Sequence, residues 1–231
     1  VSGIPGIGSA SIKIKDFEHV TGSDTADIMV GSALSNKLYG NGGNDSIDAG
    51  SGDDDVKGGA GDDILKGGTG KDILSGGDGA DVMDGGSGND TVDGGGGNDV
   101  MRASVGNDTY TFGSGSDTLD YSGLGQTVTL KKGGSVDKGT AGTDTLKEFS
   151  ETVVGSSKQG DWIDGGSGTV ASIDADLTAQ TLTIKGIPGK GNVSTKVVSF
   201  ENVSGTKLND VIVGDSKSNT LRGDSGNDTI K

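Results

Sequence analysis

At 231 residues the chain is long enough for an ordinary layered core, yet only 29% of it is apolar, 3% is aromatic and 47 residues are glycine. That composition excludes a conventional layered domain, while the absence of cysteine and the mere two prolines exclude a disulfide framework, a thiolate metal site and collagen. The formal charge of −15 is confined: residues 22–120 hold nineteen aspartates, no glutamate and five basic residues, a net −14, which leaves −1 for the other 132 residues. Such a block repels nucleic-acid phosphates and calls for cations.

The chain has no initiator methionine, no secretory signal and no apolar run near the ~18 residues that a membrane span needs. It reads as a segment of a longer protein that does not insert into a membrane. Residues 1–21 read as the end of a preceding spacer. From Gly22 the chain runs in nonapeptides without insertion, and the first two units are irregular: Gly22 to Val30 has Thr25 at position four, and Gly31 to Tyr39 has Leu34 at position four and Asn36 at position six. These two are read as caps or weak sites.

Nine units from Gly40 to Asp120 then fit G-G-x-G-x-D-x-U-x, where U is apolar. Position four is always glycine, position six always aspartate, and position eight is Ile47, Val56, Leu65, Leu74, Met83, Val92, Met101, Tyr110 and Leu119 in turn. The glycines permit positive φ in a tight turn and let carbonyl oxygens crowd inward. The last three residues of each unit suffice only for a short strand, with position eight turned into the core. Two units would make one coil of 18 residues. Calcium takes about six to eight hard oxygen ligands, so one turn supplies roughly half a shell and a second, stacked turn must complete it. Were the aspartates only turn formers, Asn, Ser or Gly would serve as well at position six. An EF-hand is excluded because its loop ends in glutamate, and none lies between Glu18 and Glu148.

Over residues 22–120 this nonapeptide resembles the calcium-binding repeat of the RTX (repeats-in-toxin) family. The resemblance implies an all-β, right-handed parallel β-roll, a β-solenoid, with ions between the turns of units n and n+2. It implies carboxylate ligands at Asp45, Asp54, Asp63, Asp72, Asp81, Asp90, Asp99, Asp108 and Asp117, with Asp27, Asp161, Asp210 and Asp228 as their counterparts in the irregular units. Backbone carbonyls of Gly50, Gly52, Gly59, Gly61, Gly68, Gly70, Gly77, Gly79, Gly86, Gly88, Gly95, Gly97, Gly106 and Gly115 would fill the shells, as would that of Gly58. Roughly seven to nine Ca2+ ions would then balance the −14 of the block.

Residues 121–204 read as a β-rich spacer. Thr127 to Leu130, Thr181 to Ile184 and the series Ile173, Ala175, Leu177 alternate as strands do. One isolated unit, Ser156 to Asp164, places Asp161 at position six. The spacer is read as a continued solenoid with wider coils, a small β-sandwich being the alternative. Residues 205–231 start a further block: Gly3 to Ile47 aligns with Gly186 to Ile230 at an offset of 183 without gaps, with 22 of 45 positions identical, including Gly3-Ile4-Pro5-Gly6 and Phe17-Glu18.

Catalytic signals are absent. His19 is the single histidine, so H-E-x-x-H cannot occur, and there is neither a G-x-S-x-G elbow nor a phosphate loop. The position-seven row is too mixed for an ice-binding face. Trp162 reads as packing, and Lys131, Lys132 and Lys138 as a solvated basic loop. The expected role is therefore a non-enzymatic, calcium-folded structural segment of a type I-secreted bacterial surface or extracellular protein, an adhesin or surface-layer component. Its expected partners are calcium and neighbouring repeats, with surface polysaccharide or neighbouring copies as further candidates. The alternative is an accessory module of a secreted alginate epimerase, protease or lipase.

Overall fold

The computed structural model describes residues 11–13, 18–131, 134–147, 152–166, 172–187 and 191–231. Gly3 to Gly6, Phe17 and Lys132 lie outside the described residues. The described chain is almost wholly β, with one short 3-10 turn at Gly139–Ala141, and it separates into two units, Val1–Thr118 and Leu119–Lys231.

In the first unit the strands alternate between two parallel sheets. One contains Ser11–Lys13, Ile28–Val30, Ser46–Ser51, Ile64–Thr69, Val82–Ser87 and Val100–Arg102; the other contains His19–Thr21, Lys37–Gly42, Asp55–Ala60, Ile73–Asp78, Thr91–Gly96 and Thr109–Ser114. Leu65 pairs with Met83 and Val92 with Tyr110, a register of 18 residues, so two nonapeptides do make one coil. Val20, Met29, Leu38, Ile47, Val56, Leu65, Leu74, Met83, Val92, Met101 and Tyr110 stack inside, none more than 7% exposed. Each contributes about 1.5–3 kcal/mol by its removal from water. That row, joined by Ala49 and Phe112 at position one, is the apolar core of a thin coil.

The strands are longer than the three residues expected. Ser46–Ser51, Asp55–Ala60, Ile64–Thr69, Ile73–Asp78, Val82–Ser87 and Thr91–Gly96 each have six residues, positions seven to nine followed by one to three of the next unit. The glycines there cost no strand, because a parallel neighbour in identical register pairs Gly59 with Gly77 and Gly68 with Gly86. Position one is passed over by this pairing, and its backbone faces inward. The residue there is small where it must be: a β-carbon on Gly67 would stand 2.5 Å from Oδ2 of Asp72 and 2.6 Å from the carbonyl oxygen of Gly85.

The second unit keeps the parallel coil but widens it. Trp162–Asp164 pairs in parallel with Asn202–Ser204, and Ser172–Asp176 with Val211–Val213. Between them the chain makes antiparallel excursions: Thr129–Lys131, Ser135–Asp137 and Thr143–Lys147 form one meander, and Ser172–Asp176, Thr181–Ile187 and Gly191–Val198 the other. The spacer thus continues as a solenoid with hairpins let into it and is no sandwich. By Asn202–Ser204 with Thr220–Arg222 the 18-residue register has returned. The 183-residue offset recurs in the strand order, since His19–Thr21 and Ile28–Val30 correspond to Asn202–Ser204 and Val211–Val213.

Candidate functional site

Positions six, eight and one all face inward, so the aspartates lie inside the coil wall. Asp45, Asp54, Asp63, Asp72, Asp81, Asp90, Asp99, Asp108 and Asp117 are each at most 2% exposed. Their Oδ1 atoms are accounted for. The backbone N–H of Asp45 donates to Oδ1 of Asp63 at 2.7 Å, that of Asp63 to Asp81 at 2.8 Å and that of Asp81 to Asp99 at 2.9 Å. The chain of bonds links every second aspartate along one edge, and Asp54, Asp72, Asp90 and Asp108 form the same series along the other.

A different condition holds at Oδ2. In Asp45, Asp54, Asp63, Asp72, Asp81, Asp90 and Asp99 the second carboxylate oxygen is buried without a hydrogen-bond partner. A buried polar atom left so costs ~1–3 kcal/mol, and more when charged, so seven in register point to something that binds them. In five of these turns, those of Asp45, Asp63, Asp72, Asp81 and Asp99, Oδ2 and the position-one carbonyl one coil on flank a single glycine. Oδ2 of Asp63 and the carbonyl oxygen of Gly76 flank Gly58, and Oδ2 of Asp81 and that of Gly94 flank Gly76. Burial, partly offset by the N–H bond and reinforced by neighbouring aspartates, pushes Asp45, Asp54, Asp81 and Asp90 up to about 6 and raises Asp63, Asp72 and Asp99. The metal-free coil therefore resists full ionisation of its own wall.

This donor set fits calcium. It offers hard oxygens alone, carboxylate and carbonyl, with no nitrogen or sulfur. Among the described residues no three His, Cys, Asp or Glu side chains gather at one place, as expected of a shell in which carbonyls outnumber carboxylates. The sequence pattern points to the carbonyls at positions two and four. Position four is open to such a role, since no backbone N–H outside the strand ladders donates to any of the nine carbonyls from Gly43 to Gly115 among the described residues. Of the position-one carbonyls the sequence reading named only that of Gly58; the residue there is glycine in six of the nine regular units and Ala49, Ala103 and Phe112 in the others.

The residue at position two decides whether Oδ2 is left open. Gly50, Gly59, Gly68, Gly77, Gly86 and Gly95 have φ between +92° and +120°, and Asn41 has φ of +80°. In these units the amide makes no bond to the carboxylate. Where position two is Ser or Thr the amide turns inward: Ser23 donates to Oδ2 of Asp27 at 2.7 Å and Thr206 to Oδ2 of Asp210 at 2.6 Å. Ser32 caps Asn36, and Asp215 caps Asn219, in the same way. The first two units of each block are thus self-satisfied turns, in which the amide takes Oδ2 of Asp27 and Asp210 and the single side-chain oxygen of Asn36 and Asn219. The unit of Asp108 has Ser104 at this position, whose hydroxyl approaches Oδ2 at 3.4 Å. Asp228 follows Asp224, with φ of +63°, and is half-exposed.

Two spacer aspartates complete the set. Asp161 is fully buried, and its Oδ2 has no partner. Its turn begins at Gly155, a residue earlier than the expected unit, and so carries one extra residue. Asp144 was missed: Gly139, Gly142, Asp144 and Leu146 keep the nonapeptide spacing, and Asp144 is fully buried. It pairs with Nζ of Lys138 at 2.5 Å and accepts the hydroxyl of Tyr121 at 2.9 Å. Lys138 is therefore no part of a solvated basic loop; burial of Asp144 draws it wholly inside, whereas Lys131 pairs at the surface with Asp137. His19 lies edge-on to the ring of Tyr39, and Arg222 stacks over Trp162.

A family model described as RTX calcium-binding nonapeptide repeat matches four copies, over residues 21–56, 57–92, 84–119 and 204–231. A search of curated proteins finds no match.

Proposed function

The chain belongs to the family of RTX calcium-binding nonapeptide repeats, and we propose that this segment is a non-enzymatic module that calcium folds outside the cell into a rigid structural element of a secreted or surface protein. The observation that carries the reading is the row of seven buried, unpartnered Oδ2 atoms, five of them beside a carbonyl of the next coil. Bound there, calcium would cancel the charge of the wall and tie the turn of unit n to that of unit n+2. Asp45, Asp54, Asp63, Asp72, Asp81, Asp90 and Asp99 would hold the ions with position-one and position-four carbonyls; Asp27 and Asp210 would instead be held by Ser23 and Thr206.

Coupled folding follows from the composition. A chain with 29% apolar residues and a block of −14 has too little hydrophobic burial to offset backbone ordering at ~1–2 kcal/mol per residue. In low cytosolic calcium it would stay extended and exportable; in extracellular calcium it would fold. Among the described residues no helix is long and apolar enough to cross a membrane. The test is circular dichroism of the chain in chelator and in millimolar calcium. A cooperative gain of β-structure with calcium, and a poor response to magnesium with its small octahedral shell, is expected. Superimposable spectra from calcium-stripped and calcium-loaded protein would refute the reading.

A further inference from the structure

We propose that Asp161 and the Ser199 carbonyl hold a further calcium ion within the spacer, in a site built from two distant stretches rather than from two stacked nonapeptides. The inference rests on the reading of unpartnered Oδ2 atoms as calcium ligands given above. It concerns residues outside the family match, which stops at 119 and resumes at 204.

The two oxygens converge as they do in the regular coils. A β-carbon on Gly155 would stand 2.6 Å from Oδ2 of Asp161 and 2.8 Å from the carbonyl oxygen of Ser199, the arrangement that Gly67 has with Asp72 and Gly85. The backbone leads there in the same way, since the N–H of Gly155 donates to the carbonyl of Val198 at 2.8 Å as that of Gly22 does to Tyr39. Ser199 thus occupies the place of a position-one residue one coil on. It does so with φ of +63°, in the left-handed region that a serine seldom adopts.

The turn should have closed its own carboxylate and does not. Ser156 follows Gly155 as Ser23 follows Gly22, but six steps separate Gly155 from Asp161 where five separate Gly22 from Asp27. The extra residue shifts the serine: its hydroxyl donates to Oδ1 of Asp161 at 2.9 Å, beside the N–H of Val128 at 2.8 Å, and although the Ser156 N–H also favours the ionised carboxylate, it makes no regular hydrogen bond to Oδ2, which stays buried. Among the described residues no ammonium or guanidinium pairs with it. The charge that acts on it is that of Glu201, which is negative and accepts the N–H groups of Gly160 and Asp161 at 3.1 and 3.0 Å.

Asp144 shows what a spacer aspartate looks like when its charge is already met. It is equally buried, and Lys138 and Tyr121 engage its two oxygens. The spacer therefore neutralises one nonapeptide-type aspartate with its own lysine and leaves the other for an ion from outside. A cavity of about 440 Å³ lies beside the site, lined by Ser156, Lys158, Gly160, Ser199, Glu201 and Lys217. The ion would join residues 155–161 to 199–202, at the two feet of the antiparallel excursion that Ser172–Asp176, Thr181–Ile187 and Gly191–Val198 make.

The experiment counts calcium ions on the full chain by native mass spectrometry through a calcium titration. D161N keeps an Oδ1 acceptor for Val128 and Ser156 and removes the charge; G155A fills the space between the two oxygens; D164N, on the outward row next to Trp162, is the control. At saturation D161N and G155A are expected to carry one ion fewer than the parent chain and D164N the same number. An unchanged count in D161N, or a loss of more than one ion in both variants, overturns the assignment. A parent chain that binds no calcium would instead overturn the general reading of the module, so the two failures are distinguishable.

Discussion

Replacing Asp81 separates the two roles of a position-six carboxylate. Its Oδ1 accepts the N–H of Asp63 at 2.8 Å, and its Oδ2 is buried and unpartnered. Asn keeps the first function and removes the charge. In the metal-free coil the Asp81 carboxyl is pushed up to about 6 from 3.8, so at neutral pH its ionised form opposes folding by up to roughly 3 kcal/mol at ~1.4 kcal/mol per pH unit. D81N is therefore expected to favour the metal-free coil by an amount of that order. In calcium the sign reverses, because the variant forfeits ion binding that at a hundredfold excess over Kd contributes ~2.7 kcal/mol per site. Asp81 is bonded into the series between Asp63 and Asp99, so up to two ions are affected.

The assay is thermal melting by circular dichroism in chelator and in saturating calcium, with the calcium midpoint of folding taken alongside. D81N should retain at least as much β-structure as the parent in chelator, yet melt lower and require more calcium. D81A should be worse than D81N in both media, because the N–H of Asp63 loses its acceptor at a cost of ~1–3 kcal/mol. D84N, on the outer row where Asp84 accepts the N–H of Gly86, is the control. If D81N and D84N melt together in calcium, or if D81N loses structure in chelator, the carboxylate is not the ion's ligand and the reasoning fails.

Four further outcomes are expected. G77S puts a side chain on a residue with φ of +119° against the carbonyl of Gly59; besides strain of ~1–3 kcal/mol, it should turn the position-two amide toward Asp81 and weaken calcium binding there, measured by calorimetric titration. L65A, at a fully buried core position, should cost ~2–5 kcal/mol in calcium without altering the ion count. K138M leaves Asp144 buried without its cation and should destabilise the folded chain by ~3–5 kcal/mol in a urea melt with calcium present. With respect to pH, Asp45, Asp54, Asp81 and Asp90 stand near 6 in the metal-free coil against 3.8 when unfolded. The metal-free coil thus binds more protons than the unfolded chain, its stability is greatest below about 3.8, and it declines as the pH rises through about 6. In chelator, acidification from about pH 7 to about pH 4 should raise the β-signal, whereas the calcium midpoint of folding should rise only as the pH falls toward about 3.8, where the unfolded chain's own carboxylates take up protons.

The regular coils were legible because each of their features is local and repeated. A carboxylate at position six, an apolar side chain at position eight and glycine at position four give a period of nine, and nine-residue units alternating between two sheets can stack only at 18. What lay beyond that reading depends on neighbours one coil away. The six-residue strands exist because positions one to three meet identical backbone in register, and no propensity of a glycine pair would announce them. The position-one carbonyls became visible as candidate ligands only where Oδ2 of Asp72 and the oxygen of Gly85 flank one glycine.

The spacer was less legible because its coils vary in length. Asp144 sits in a unit with proper spacing that was passed over, since no second unit follows it in register and its companion, Lys138, lies outside the nonapeptide. Asp161 was found, but with its turn read a residue short. On the proposed reading, the difference between the two means that aspartate at position six would not by itself make a calcium site. What matters is whether anything else in the chain reaches Oδ2. Ser23 and Thr206 do so by a backbone amide, and Lys138 and Tyr121 satisfy Asp144 by side chains. A positive-φ residue at position two, glycine in six turns and Asn41 in the seventh, removes the competing amide where Oδ2 stays open. On this argument calcium dependence is written at position two as much as at position six. A roll in which serine replaced glycine at position two throughout would keep its aspartates and lose most of its need for the ion.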